Sequence, residues 1–278
     1  MRRSATPAER RLWPPLLLMC VALAACSSGK VRDGAPSRST SVTDLPGDAI
    51  PRPEPRSRYG NGPVYEVLGQ RYEVMSSSEN YVERGVASWY GTKFHGRLTS
   101  SREPYDMYAM TAAHKTLPLP TYVRVRNLEN GKSVVVRVND RGPFVSNRII
   151  DLSYAAALRL DMVADGTSLV EVSAIPFDDM ARTASARPEL PPPAATSGAG
   201  PGEPFVQVGA FGDRANAERR RRMLQDNGIE NAFIHTDTDV TPALYRVRIG
   251  PVHEVVQFDF LIAQLEDLGI TDPYLIAD

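Results

Sequence analysis

The residues able to move a proton or grip a polar ligand gather in two stretches of this 278-residue chain. The first, GVASWYGTKFHGRLTSSREPYDMYAMTAAHKTLPLP over 85–120, carries His95, Glu103, Asp106 and His114. The second, VVVRVNDRGPF over 134–144, is a run of alternating valines that ends in Asp140, Arg141, Gly142 and Pro143. Gly-Pro alone would stop a strand, so the charged pair ahead of it asks for a reason of its own. Metal chemistry does not fit, because both stretches lack cysteine and the two histidines are far apart. There is no G-x-S-x-G elbow and no glycine-rich phosphate cradle. Two carboxylates and a histidine are left, a set that suits cleavage of a glycosidic bond or simple carbohydrate binding, with no cofactor and no metal.

The surrounding pattern must place these groups. TYVRVRNLENGKSVVVRVND (121–140) reads as two strands joined across Asn130-Gly131, a strong hairpin signal. Val134, Val136 and Val138 share one side, while Val135, Arg137 and Asn139 share the other. Asp140 keeps the parity of the buried valines but lies at the open end of the strand, where a carboxylate needs hydrogen bonds or a cleft. IIDLSYAAALRL (149–160) starts a helix with Asp151 or Ser153 as its cap, and SLVEVSAI (168–175) closes as a strand. Short strands with one helix predict a small closed barrel over 84–177. Residues 57–83 form a β lead-in, with a hairpin in GPVYEVLGQRYEV (62–74).

The ends of the chain differ in kind. MRRSATPAERR followed by LLLMCVALAA has the charged start and short apolar run of an export signal, too short to span a bilayer stably. Leu23-Ala24-Ala25-Cys26 resembles a bacterial lipoprotein signal over 1–25, with Cys26 acylated. Cys26 would then be the one thiol of the mature chain, with nothing to pair with. Ser27 suits sorting to the outer membrane. Residues 26–56 hold little that is apolar and read as a tether; 178–203, with Pro191-Pro192-Pro193, reads as a linker. The last segment, 204–278, repeats itself: VQVGAF (206–211) and VRIGPV (247–252) align at an offset of 41 residues, which also maps Leu224 onto Leu265 and Gly228 onto Gly269. Two strand–helix–strand halves predict a ferredoxin-like βαββαβ sheet. Val206, Val208, Ala210, Val247 and Ile249 should face its helices, and Gln207, Arg246 and Arg248 its open side. Charge is uneven, with 12 Lys and Arg against 8 Asp and Glu over 84–177 and 7 against 12 over 204–278. Neither excess has the density or aromatic interleaving of a nucleic-acid binder.

ASWYG, FHGRLT, TAAHKTLPLPTYVRV, VNDRGPF and RIIDLS together resemble the catalytic domain of the rare lipoprotein A (RlpA) family, a six-stranded double-psi β-barrel of septal lytic transglycosylases. FVQVGAF and YRVRIGP resemble the SPOR domain. The resemblance implies cleavage of the MurNAc–GlcNAc bond of peptidoglycan without water, leaving a 1,6-anhydro-MurNAc end. It also implies action on denuded septal glycan, lipid anchoring through Cys26 in the periplasm, and septal ring proteins as partners. The functional positions it carries over are Asp140, Glu103 and His114. Asp140 is expected as acid/base, Glu103 as stabiliser of the oxocarbenium-like charge and His114 as orienter, with the roles of the two carboxylates left open. Trp89, Tyr90, His95, Arg102 and Arg141 are expected along the barrel's sugar site, and Gln207, Arg246 and Arg248 on the SPOR glycan site.

Against these stand plainer readings. Asp140 would pair with Arg141 or cap the turn, His114 would be a structural histidine, and Trp89 and Tyr90 would be core. One departure stands out: the family pattern has Gly ahead of the glutamate, where this chain has Arg102, so a positive φ there would strain an arginine. Two other functions stay open, an expansin-like module that binds glycan without cutting it and a two-carboxylate hydrolase that uses water.

Overall fold

The structure is a computed structural model that describes residues 33–38, 40–145, 147–176 and 203–277. The export signal, Cys26 and all but Glu203 of the expected linker lie outside the described residues.

Six strands close into a barrel: β3 (Val82–Tyr90), β4 (Thr111–His114), β5 (Thr121–Asn127), β6 (Ser133–Asp140), β7 (Arg148–Ser153) and β8 (Thr167–Ala174). Around the barrel the order is β3-β7-β4-β6-β5-β8. The β3–β7 and β4–β6 pairs run parallel and the others antiparallel. This is the small closed barrel expected from the alternation of short strands. Val134, Val136 and Val138 fill its interior with Ile150, Leu152 and Val172, all essentially without solvent contact. Each such side chain contributes about 1.5–3 kcal/mol of burial free energy. Helix α1 (Tyr154–Arg159) plugs one end with its buried alanines, and Ser153 rather than Asp151 caps it, its Oγ accepting from Ala156 N at 3.2 Å. The β5–β6 connection is longer than a two-residue hairpin. Asn127 Oδ1 organises it by accepting from Glu129 N and Asn130 N, and Gly131 takes φ +72°.

The lead-in hairpin forms as β1 (Val64–Val67) and β2 (Gln70–Glu73), turning at Leu68-Gly69. The segment before it corrects the reading of a free tether through residue 56. Within the described residues, 33–61 run along the barrel. Ala49 N donates to Val135 O and Ser57 N to Leu119 O, while Leu45 and Ala49 touch the barrel core. Composition misled here because the segment is held by hydrogen bonds and ion pairs rather than by an apolar face.

The C-terminal domain follows the repeat. Strands β9 (Pro204–Phe211), β10 (Ala232–Asp237), β11 (Leu244–Ile249) and β12 (Tyr274–Ala277) form one antiparallel sheet in the order β10-β11-β9-β12, with helices α2 (Arg214–Asp226) and α3 (Val255–Asp267). That is the ferredoxin-like arrangement. Asp213 caps α2 by accepting from Asn216 N, and Leu224 and Leu265 are both fully buried. Gly228 and Gly269 follow the helices at φ +85° and +74°, the left-handed stop that glycine supplies without strain. Ala210 departs from expectation and is exposed. A register shift between Val247 and Arg248 leaves Val208 as an extra residue, so Ala210 comes to oppose Arg246 on the other face.

Candidate active site

A bulge in β6 decides where Asp140 points. Ala112 of β4 opposes Val138, yet the next residue, Ala113, opposes Asp140, so Asn139 is the extra residue. The bulge turns Asp140 off the valine face and onto the outer side of Ala113. Its Oδ1 accepts from Ser100 N, Ser100 Oγ and Arg141 N, each at 2.7 Å. Its Oδ2 takes no hydrogen bond among the described residues, leaving one oxygen of a firmly aimed carboxyl open to a ligand. Arg141 does not pair with it through the guanidinium. That group is buried and donates to Gly60 O, His114 O and Leu117 O. Expected as a sugar contact, Arg141 is a brace under the strand end, because three backbone carbonyls take its donors away from the surface.

Glu103 lies on a turn laid across the same strand end. Thr99 N donates to Glu103 O, Ser101 N to Asn139 O, and Leu98 bridges Pro104. The Glu103 carboxylate accepts from Arg137 Nη1 at 2.7 Å, Arg137 Nη2 at 3.0 Å and Asn139 Nδ2 at 2.8 Å. Burial pushes its pKa upward, but the bonds from Arg137 and Asn139 win and hold it below the usual carboxylate range. Glu103 is therefore an aimed anion, held by Arg137 and Asn139 of the strand that ends in Asp140. Arg102 sits at φ +70°, so the conformation a glycine would adopt freely is retained and the arginine carries the strain; its exposed guanidinium lies 5.3 Å over the Tyr59 ring.

Arg137 also binds Glu54, from the segment ahead of the barrel, through Nε at 3.1 Å and Nη2 at 2.8 Å. Tyr122 and Arg52 donate to the same carboxylate. Burial alone would raise Glu54, yet these donors hold it at about 2. A glutamate inside a polar tether carried no signal in the sequence, so this partner was missed.

His114 ends β4 with its ring buried. Nδ1 accepts from Thr116 N at 3.1 Å and Leu117 N at 3.0 Å, and Nε2 meets Tyr81 Oη at 2.7 Å. Burial first, then the charges of Arg141 and Lys115, bring its pKa down to about 3, so the ring is neutral. Its hydrogen bonds go to neither Asp140 nor Glu103, which corrects its expected role as their orienter: the imidazole shapes the 114–117 loop that Arg141 grips. His95 is half-exposed and orients its own loop, accepting from Met107 N at 3.2 Å. Trp89 packs on Tyr154, and Tyr90 is buried and stacked on Tyr105 with centroids 4.0 Å apart. Burial withdraws Tyr90 from the expected sugar platform, while Trp89 stays partly exposed at the edge of the tyrosine cluster. On the barrel and the segment ahead of it, the exposed aromatic rings among the described residues are Tyr59 and Phe94.

Asp151 was read only as a possible helix cap. In the structure it stands in one cross-strand row, Asp140–Ala113–Asp151–Ser88, on the outer face of four adjacent strands. Strand spacing sets Asp140 and Asp151 roughly 10 Å apart at Cα. Ser88 Oγ donates to Asp151 Oδ1. Burial raises its pKa, against the pull of Ser88, Lys115 and Arg148. Period-two alternation in RIIDLS, with Ile150 and Leu152 inward, was the signal that put Asp151 outward.

In the C-terminal domain the register builds a second row, Phe233–Arg248–Gln207–Tyr274, on the face away from the helices. The face is less open than expected. Gln207 and Arg248 are buried, Gln207 Nε2 donates to Tyr274 Oη, and Arg246 pairs with Asp237 through Nε at 2.8 Å and Nη2 at 2.6 Å. Cross-strand partners occupy the donors that alternation alone left facing solvent.

Comparison with known proteins agrees with this layout. Residues 82–172 match the family model described as Lytic transglycolase, and residues 200–277 match that of the SPOR domain. The chain is 40% identical over 264 residues to an endolytic peptidoglycan transglycosylase RlpA of Vibrio cholerae, covering 93% of this chain and 94% of that one. It is 40% identical over 267 residues to the Pseudomonas aeruginosa protein of the same name, covering 80% and 77%. The solved SPOR domain of RlpA from P. aeruginosa aligns over 27% of this chain and 99% of its own, with 24% identity and a TM-score of 0.26.

Proposed function

We infer the activity from one premise: this chain belongs to the RlpA family of endolytic peptidoglycan transglycosylases. It is a lytic transglycosylase whose double-psi barrel cuts glycan strands and whose SPOR domain holds them. The observation that carries this reading is Asp140, with Oδ1 fixed by three donors and Oδ2 without a hydrogen bond among the described residues, on the strand end that also holds the Glu103 anion. Asp140 protonates the glycosidic oxygen as the C1–O bond of MurNAc breaks. Glu103, kept ionised by Arg137, stabilises the positive charge that develops on the ring. Asp140, now a carboxylate, takes the proton of the C6 hydroxyl as its oxygen closes on C1, so no water is consumed and the product ends in 1,6-anhydro-MurNAc. The substrate is peptide-poor glycan of the division septum, where cutting helps daughter cells part. The SPOR match supports binding at the Phe233–Arg248–Gln207–Tyr274 row, where the exposed Tyr274 ring offers a face on which a sugar can stack. The protein works from the periplasm, anchored by a lipid on Cys26 to the outer membrane, among septal ring proteins.

A second reading has one observation in its favour. Asp151 is the carboxyl that burial pushes towards its protonated form, so Asp151 would be the acid and Asp140 only the base. Digesting peptide-free glycan strands and weighing the products tests both. Products lighter by one water mark transglycosylation, ordinary reducing ends mark hydrolysis, and no products mark binding alone. Asp140→Asn should abolish cutting. Asp151→Asn should leave much of it under the first reading, whereas under the second it should abolish cutting of glycan and spare a substrate with an aryl leaving group that needs no proton.

A further inference from the structure

The loop that follows β3 holds a carboxylate that belongs to no part of the mechanism above. Gly91 N donates to Asp33 Oδ2 at 3.0 Å and Lys93 N donates to Asp33 Oδ1 at 3.0 Å. Between them, Thr92 N donates to Gly34 O at 3.1 Å and Thr92 Oγ1 to the same carbonyl at 3.3 Å. Two of three consecutive amides thus point at the Asp33 carboxylate and the middle one at the next carbonyl, 58 to 60 positions earlier in the chain. Successive N–H groups converging in this way form an anion-binding concavity. Gly91 is the residue that permits it. Its φ is not positive, so no turn requires glycine there, but a Cβ would collide with the Gly34 carbonyl. The glycine serves the close approach of the Asp33–Gly34 backbone. Asp33 is exposed and takes its hydrogen bonds from these amides and from no side chain among the described residues.

The surroundings suit an acidic sugar. Phe94 presents an exposed ring next to the amides, with Lys93 Nζ 5.3 Å and the Arg97 guanidinium 6.0 Å from its centroid. A pyranose face stacks on such a ring, and a carboxylate a few ångströms away finds both donors and positive charge. The loop is fixed to the barrel, since Tyr105 Oη donates to Tyr90 O at 2.6 Å and Gly96 N to Tyr105 O at 2.8 Å. It springs from the strand whose Ser88 ends the row of Asp140 and Asp151, and the Asp33 charge is felt at Asp151.

We propose that the Gly91–Lys93 amides are a carboxylate subsite of the cleft, filled by Asp33 in the free protein and by a lactyl carboxylate of the glycan when substrate binds. The proposal rests on the glycan reading above and adds to it an internal competitor: Asp33 and Gly34 must leave these amides before an acidic sugar can use them. Apparent substrate affinity is then reduced by the fraction of molecules in which Asp33 is docked.

The test compares the full chain with Asp33→Ala and the more conservative Asp33→Asn, following the Gly91 and Lys93 amide resonances. The two probes are a peptide-free GlcNAc–MurNAc tetrasaccharide and chitotetraose, the same backbone without lactyl carboxylates. In Asp33→Ala both amides should shift, and the acidic tetrasaccharide should bind about tenfold more tightly than to the parent, whereas chitotetraose should bind both alike. Cleavage by Asp33→Ala should show a lower KM with kcat unchanged, and Asp33→Asn should fall between. If the acidic glycan leaves both amides unmoved, or binds no better than chitotetraose, the subsite is wrong, even where cutting with an unchanged KM upholds the transglycosylase. If Asp33→Ala binds the acidic glycan selectively and neither protein cuts, the subsite stands and the transglycosylase reading falls.

Discussion

Arg137 holds two glutamates at once, and replacing it with methionine separates the roles that sequence leaves open for Glu103 and Asp140. Methionine keeps the length of the stem and removes four hydrogen bonds, two to Glu54 and two to Glu103. The Glu54 pair is the costly one, because only 17% of either side chain is exposed. Removing one partner of a buried pair costs about 3–5 kcal/mol. Tyr122 and Arg52 still serve Glu54, which brings the expected loss to about 2–3 kcal/mol; the Glu103 pair is 42% exposed on the acid side and adds no more than about 1 kcal/mol after screening. The sign with pH follows from the depressed carboxylates. Their stabilisation is complete above the ordinary value of 4.5 and is lost as pH falls towards the folded value of Glu54, about 2. Urea unfolding at pH 7 should therefore show the full gap between parent and Arg137→Met, and unfolding at pH 3 a smaller one. Activity gives the second reading. If Glu103 is an anion that stabilises positive charge, Arg137→Met lowers the rate at neutral pH and moves the acid limb of kcat/KM to higher pH. A variant within about 1 kcal/mol of the parent at pH 7, or one that cuts faster at neutral pH, would refute the network and hand the proton to Glu103.

Arg102→Gly removes a left-handed arginine, a gain of about 1–2 kcal/mol, and loses roughly as much in glycine chain entropy and the contact with Tyr59, so melting should move little. Because Arg137 and Asn139 already aim Glu103, the rate should stay within about threefold; a gain of tenfold or more would show that the arginine misaligns the turn. His114→Gln should flatten the stability–pH curve between 6.5 and about 3, since a histidine buried neutral loses stability as pH falls through its ordinary value; unfolding midpoints across that range check it. Gly228→Ala and Gly269→Ala meet open space but force alanine to positive φ, so each should cost about 1 kcal/mol, and unequal losses in denaturant midpoints would break the equivalence of the two halves.

Period and repeat made most of the fold legible. Alternating valines gave β6, an offset of 41 residues gave the two halves of the C-terminal sheet, and the equivalence of Gly228 and Gly269 as helix stops followed from that offset alone. Alternation fails at bulges, because one inserted residue exchanges the faces and nothing in composition announces it. That single device explains two departures, Ala210 on the exposed face and Asp140 outside the barrel. In the second case the bulge resolves the difficulty of a carboxylate on the valine parity, since it moves Asp140 out of the valine interior and onto the outer face.

The candidate carboxylates could be picked out in the sequence, but the groups that hold them could not. Asp140 and Glu103 are both held at the end of β6, Asp140 by Ser100 and Glu103 by Arg137 with Asn139, partners set by how the 99–103 turn crosses β6. Partners so far apart in the chain leave no local pattern. The same holds for Glu54 and Asp33, hidden in a segment whose composition reads as tether: a polar stretch with few apolar residues can still be ordered if its charged groups find buried or backbone donors, and those donors appear only once the barrel has closed. Arg141 shows the converse. Its place next to the acid suggested a sugar contact, yet a guanidinium offers five donors, and three carbonyls beneath the strand end take them first. A charged pair in sequence is thus divided in space, with the aspartate turned outward by the bulge and the arginine drawn under it as the support that keeps the strand end, and so the aspartate, in place.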